Sequence, residues 1–130
     1  MHLIEIAFGF VLTVALIHGE TFQEFRHNEC IHQHRLDDDE YKTMKDLMST
    51  IPSDIDMRYK CYMHCMLMGR GHLDKDERYR MEWIQEDYNL PEYHVRILEN
   101  CKEQHKQIED RCEYVFQMEI CSMEVLRDYE

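Results

Sequence analysis

Lys60-Cys61-Tyr62-Met63-His64-Cys65, near the middle of the chain, decides how the rest is read. The segment lies in a stretch, 58–68, whose apolar residues Tyr59, Met63, Met66 and Leu67 recur three and four apart. That spacing predicts a helix. Cys61 and Cys65 then stand at i and i+4 on one face, with Cβ atoms about 5–6 Å apart. A disulfide needs Cβ atoms nearer to about 3.8 Å. Each cysteine must therefore reach a different neighbouring element, and one helix becomes a double anchor.

The other cysteines are Cys30, Cys101, Cys112 and Cys121, and all six follow an apolar leader. Positions 4–17 read IEIAFGFVLTVALI, a run too short to span a bilayer comfortably. Small or neutral Ala15, His18 and Gly19 come next, and polar sequence begins at Glu20. This layout is that of a secretory signal peptide cut near Gly19, with a membrane anchor as the competing reading. The expectation is a signal peptide at 1–19, one domain at 20–130, secretion to the extracellular space, and no membrane insertion after cleavage. An even number of cysteines in a short secreted chain points to three disulfides. Six cysteines allow 15 pairings, and nothing in the spacing alone chooses among them.

Outward from the central helix the chain reads as all-α. With four glycines and two prolines in 130 residues, it has few breakers, and no alternating run is long enough for a strand. A first helix starts near Thr21 and carries Phe22, Phe25 and Ile31. Leu36-Asp37-Asp38-Asp39-Glu40 is a break followed by a helix start, with acids at the positive end. Tyr41, Met44, Leu47, Met48 and Ile51 mark the second helix, which Pro52 ends. Gly69-Arg70-Gly71-His72 stops the third. A fourth is expected over 75–88, with Met81, Ile84 and Tyr88 on one stripe and Trp83 beside it. Pro91 suits the first position of a fifth, which carries Tyr93, Ile97, Leu98 and Cys101. The last covers about 110–121 or beyond, with Cys112, Val115, Phe116 and Ile120, and 122–130 remain as a tail.

The charge narrows the function classes. Removal of 1–19 takes away one acid, Glu5, and no Lys or Arg, so the net charge of −12 becomes −11. Such a domain repels phosphate backbones and anionic lipid surfaces, which argues against nucleic acid as a partner.

The cysteine spacing is specific. Thirty residues separate Cys30 from Cys61, three separate Cys61 from Cys65, 35 separate Cys65 from Cys101, ten separate Cys101 from Cys112, and eight separate Cys112 from Cys121. This pattern resembles the insect odorant-binding protein family, also called the pheromone/general odorant-binding protein superfamily. The three- and eight-residue gaps are its most diagnostic spacings. Lys60-Cys61-Tyr62-Met63-His64-Cys65 resembles its K-C-Y-x-x-C segment, and Asp110-Arg111-Cys112-Glu113 its D-x-C-E segment. The Cys65–Cys101 interval is slightly short for the family and bears on the loop between the third and fourth helices.

The resemblance implies about six helices around an apolar cavity, stapled by interlocked bridges Cys30–Cys65, Cys61–Cys112 and Cys101–Cys121. It implies a secreted carrier of small hydrophobic molecules, such as odorants or pheromones, with no cofactor. A membrane receptor or a second copy of the chain are the further partners it suggests. The alternative is a secreted interaction protein of the same fold, acting through a protein partner in taste, reproductive, salivary or venom fluid.

The candidate cavity lining, taken from the inward stripes, is Phe25, Leu47, Met48, Met66, Met81, Ile84, Tyr88, Leu98, Val115, Phe116 and Ile120. The nine methionines beyond Met1 suit a pocket that adapts to ligand shape. The hydroxyl of Tyr88 or Tyr114 could orient a ligand. Met123, Val125 and Leu126 in the tail could fold over a cavity mouth. Seven histidines follow the leader, and as a class they titrate in mildly acidic fluid.

The motifs argue against catalysis and metal binding. His64 beside Cys65 resembles the active-site helix of phospholipase A2, but no Asp follows it and no Gly-rich calcium loop precedes it. There is no G-x-S-x-G motif. His32-x-His34 and Cys61-x-x-His64-Cys65 lack the paired spacing of structural zinc sites. The paired Cys-x-x-Cys ends of a saposin-like lipid module are also missing.

Overall fold

Two capping boxes open the helical part of the molecule. The Thr21 hydroxyl accepts from the Glu24 N–H at 3.0 Å while the Glu24 carboxylate accepts from the Thr21 N–H at 3.2 Å, which starts α1 (Phe22–Gln33). Asp37 and Glu40 repeat the arrangement at 2.7 and 3.3 Å for α2 (Asp38–Met48). Each box satisfies N–H groups that a helix start otherwise leaves without partners. The computed structural model describes residues 21–126; the leader expected at 1–19 lies outside them, as do the last four residues of the tail.

After a short 3₁₀ turn at Pro52–Asp54 come α3 (Met57–Arg70), α4 (Met81–Tyr88), α5 (Glu92–Gln104) and α6 (Arg111–Leu126). Asp56 caps α3 by accepting from the Arg58 N–H at 2.7 Å. Gly71 ends it at φ +74°, a left-handed conformation that costs glycine no Cβ clash. Asn89 ends α4 the same way at φ +52°. The Asp110 carboxylate accepts from the Glu113 N–H at 2.8 Å at the start of α6.

Helix α3 is the hub. It packs against α1 on one side and α6 on another, while α5 lies on α6 and α4 on α5. Its buried residues Tyr59, Tyr62, His64, Cys65 and Leu67 point in several directions around the axis, as expected of a helix covered on most sides. Cys30–Cys65 ties it to α1 and Cys61–Cys112 ties it to α6, while Cys101–Cys121 clamps α5 to α6. Lys60 bonds Glu113 at 2.7 Å beside the Cys61–Cys112 bridge, and its ammonium lies 4.2 Å from the centre of the Phe116 ring.

Two stretches differ from the sequence reading. The fourth helix begins at Met81, six residues later than expected. Residues 72–80 form a turn in which the Asp74 carboxylate accepts from the N–H groups of Asp76 and Arg78 at 2.8 and 3.0 Å. A short aspartate bonded to nearby backbone competes with the helix. The turn also drives Leu73 and Tyr79 into the core as a bridged pair, which a helix over the same residues would not do. The last helix extends to Leu126, so the tail expected from Ser122 is in its first part helical. Ser122 is buried with its hydroxyl donating to the Met118 carbonyl at 2.6 Å, which lets a polar residue continue the helix inside.

The core falls into two clusters. One gathers Leu67, Leu73, Tyr79, Ile84, Leu98 and Val115 with their neighbours from α4, α5 and α6. The other gathers Leu36, Ile55, Tyr59, Tyr62 and Phe116 around the Cys30–Cys65 bridge. Met63 packs against both. No helix among the described residues is long and apolar enough to cross a membrane.

Two tests follow from this framework. Peptide mapping without reduction is expected to recover the three bridges named above, and a Cys61–Cys65 peptide would contradict the fold. Replacing both Cys61 and Cys112 with Ala should lower stability by about 2–4 kcal/mol and the thermal midpoint by roughly 10 °C or more.

Acid should also weaken the fold. Burial lowers the pKa of His34, with help from the nearby His64 and Arg111 charges. Burial likewise lowers that of His64 and outweighs the opposing pull of Glu77, 3.1 Å away. The unfolded chain therefore takes up protons near pH 6.5 that the folded chain refuses, so stability present at neutral pH is lost as pH falls below that value. Asp56, held low by hydrogen bonds from the Arg58 backbone and side chain, loses its share only at lower pH. The thermal midpoint should fall between pH 7 and pH 5, and His34→Gln with His64→Gln should flatten that slope. An unchanged slope in the double variant would exclude these two histidines as its source.

Candidate functional site

Between the two core clusters lies a half-open cavity of about 1020 Å³. Helix α3 supplies its floor. Tyr59, Tyr62, Met63, Met66 and Arg70 stand three and four apart and so fall on one face, and all five line the space. Helix α1 adds Phe22 and Arg26, α2 adds Tyr41, Lys45 and Met48, α4 adds Asp87 and Tyr88, and α6 adds Glu119 and Met123. The volume lies at the top of the range that encloses drug-sized ligands, about 300–1,000 Å³.

An aromatic cluster forms one wall. The Tyr41, Tyr59 and Tyr62 rings have centroids 5.3–6.0 Å apart, and His27 stacks edge-on to Tyr41 at 4.6 Å. His27 Nδ1 lies 2.5 Å from the Tyr62 hydroxyl. Burial raises the Tyr62 pKa, and burial lowers that of His27, so both are neutral at physiological pH. The contact joins two neutral groups and so holds the ring without a buried charge. Opposite, buried His72 holds its Nε2 2.6 Å from Asp87.

Of the eleven residues expected to line the cavity, the structure brings Met48, Met66 and Tyr88 together there. Ile84, Leu98 and Val115 are buried in the first core cluster, with Met81 packed against it. Phe116 belongs to the second cluster, and Leu47 and Ile120 pack on its edge. Phe25 is 48% exposed. The inward stripe of a helix thus divides into residues that meet another side chain and residues that meet the void, a distinction periodicity does not carry. The two tyrosines named as orienting groups separate as well. Tyr88 receives a hydrogen bond from Arg70 at 3.2 Å at the cavity wall, whereas Tyr114 is fully buried and its hydroxyl accepts from the Tyr79 N–H.

Sequence reasoning passed over Tyr59, Tyr62, Met63 and Phe22. The signal for the first three was available, since they share the helix face of Met66. Four of the nine methionines, Met48, Met63, Met66 and Met123, line the cavity, while Met118 is core and Met57 and Met68 are exposed. Met123 reaches the wall because α6 continues past Cys121.

Comparison with known proteins agrees with this architecture. The model of the PBP/GOBP family matches residues 18–125. General odorant-binding protein 57c of Drosophila melanogaster is 29% identical over 106 residues, an alignment covering 75% of this chain and 67% of that protein. No solved structure matches the chain at a significant level. Matched over most of its length, and with six cysteines in three bridges, the chain belongs to the PBP/GOBP family, a family of binding proteins.

Proposed function

We propose that the protein is a secreted carrier that takes a small hydrophobic molecule into this cavity and keeps it in solution in extracellular fluid. The observation that carries the reading is the cavity itself, about 1020 Å³ between two core clusters and faced with methionine and aromatic side chains. Apolar surface of that kind contributes roughly 25 cal/mol for each Å² that a ligand removes from water. Methionine side chains adjust to ligand shape at little cost, which suits a carrier of several related compounds. Family membership and the odorant-binding relative support the same ligand class. The apolar leader at 1–19 and the six bridged cysteines support passage through an oxidising secretory route.

The test is titration of the disulfide-intact protein with N-phenyl-1-naphthylamine. Saturable binding with Kd in the micromolar range, displaced by medium-chain alcohols and esters, is expected. A folded, helical sample that binds no probe would overturn the carrier reading in favour of a protein partner.

A further inference from the structure

The cavity is not uniformly apolar, and its charges are arranged unevenly. In a chain with 15 Lys and Arg against 27 Asp and Glu, three cations line it, Arg26, Lys45 and Arg70, against two acids. Both acids are engaged. Asp87 holds His72 at 2.6 Å, and Glu119 accepts from the Tyr79 hydroxyl at 2.7 Å.

Both arginines lie where α1 meets the last turn of α3. Arg26 lies against Gly69, whose missing Cβ leaves the room: an added methyl carbon would collide with the guanidinium. Arg70, the next residue, reaches Gln23 one turn before Arg26 on α1, at 3.5 Å, and the Tyr88 hydroxyl at 3.2 Å. Arg26 has one ion pair among the described residues, from Nη1 to the exposed Glu29 at 3.3 Å. Its Nε is buried with no hydrogen-bond partner. That nitrogen is enclosed against Gly69, whereas Arg70, which also lines the cavity, is exposed.

We propose, building on the carrier reading, that the cavity selects single-chain amphiphiles with a carboxylate head, the head lying between Arg26 and Arg70. A carboxylate neutralises the two guanidinium groups, whose N–H forks match its two oxygens. The tail then runs along α3 over Met66, Met63 and Tyr59, a face that extends about 16 Å from Arg70 at the rise of an α-helix. One end of the site reads charge and the rest reads length.

The experiment compares dodecanoate with 1-dodecanol as displacers of N-phenyl-1-naphthylamine at neutral pH. The native protein should prefer dodecanoate by about tenfold, the scale of one charge-assisted hydrogen bond. In the Arg26→Gln, Arg70→Gln double variant, checked for native helicity, that ratio should collapse to about one, while Arg26→Lys keeps part of it. Equal affinities in the native protein, or a ratio the double variant leaves intact, would overturn the carboxylate proposal and leave the carrier reading standing, because the probe still binds. Failure of the folded native protein to bind the probe would overturn both.

Discussion

Everything in this structure hangs on two cysteines one helical turn apart. Cys61 and Cys65 are too far apart in an α-helix to bond each other, yet close enough to share a face. Their bridges run to Cys112 on α6 and Cys30 on α1. Helix α3 is thereby fixed against two neighbours at adjacent points, and the third bridge clamps α5 onto α6. Short sequence separation between Cys61 and Cys65 becomes long-range restraint, since the loops closed by their bridges span 35 and 51 residues.

That restraint bears on how a small domain keeps a half-open cavity between its core clusters. A chain of this size normally gathers its apolar side chains into one contiguous core. Here they form two groups, with Met63 touching both and the cavity between them. Collapse of the void would bury more apolar surface, but it would require α1 to move toward α6 across α3. The bridges hold both helices to α3 at points one turn apart, which resists that movement. Methionines at the wall then face space that stays open, and the hydrophobic gain is left for a ligand.

How much of this was legible depended on the kind of signal. The helices were readable because apolar residues recur at 3.6 and because Thr21, Asp37, Pro52 and Gly71 mark their ends chemically. The double anchor was readable from a three-residue gap. The bridge partners followed only from the family resemblance, since spacing left 15 possibilities. The start of the fourth helix was not readable. Lys75 to Arg80 is a polar, helix-compatible run, and what breaks it is Asp74 bonding to its own backbone and Tyr79 finding a partner in Tyr114 on another helix. Tertiary contact overrode propensity there.

The cavity was the least legible part, for a reason that separates cores from sites. Ile84, Leu98 and Val115 look in sequence like Met48 and Met66: apolar, and on the inward face of a helix. Which of them meet a void depends on the directions of three crossing helices, a property of the assembled molecule. Charge gave a better clue, though only in retrospect. Arg26 sits near the start of an inward-packing helix, and Arg70 follows a glycine at the end of another. On the surface of so acidic a protein, arginines have many carboxylates to choose from. Arg26 pairs with one of them, Glu29, and both arginines line the cavity, Arg70 from an exposed position. Two cations that line one cavity in so acidic a chain bias it toward a ligand that carries negative charge.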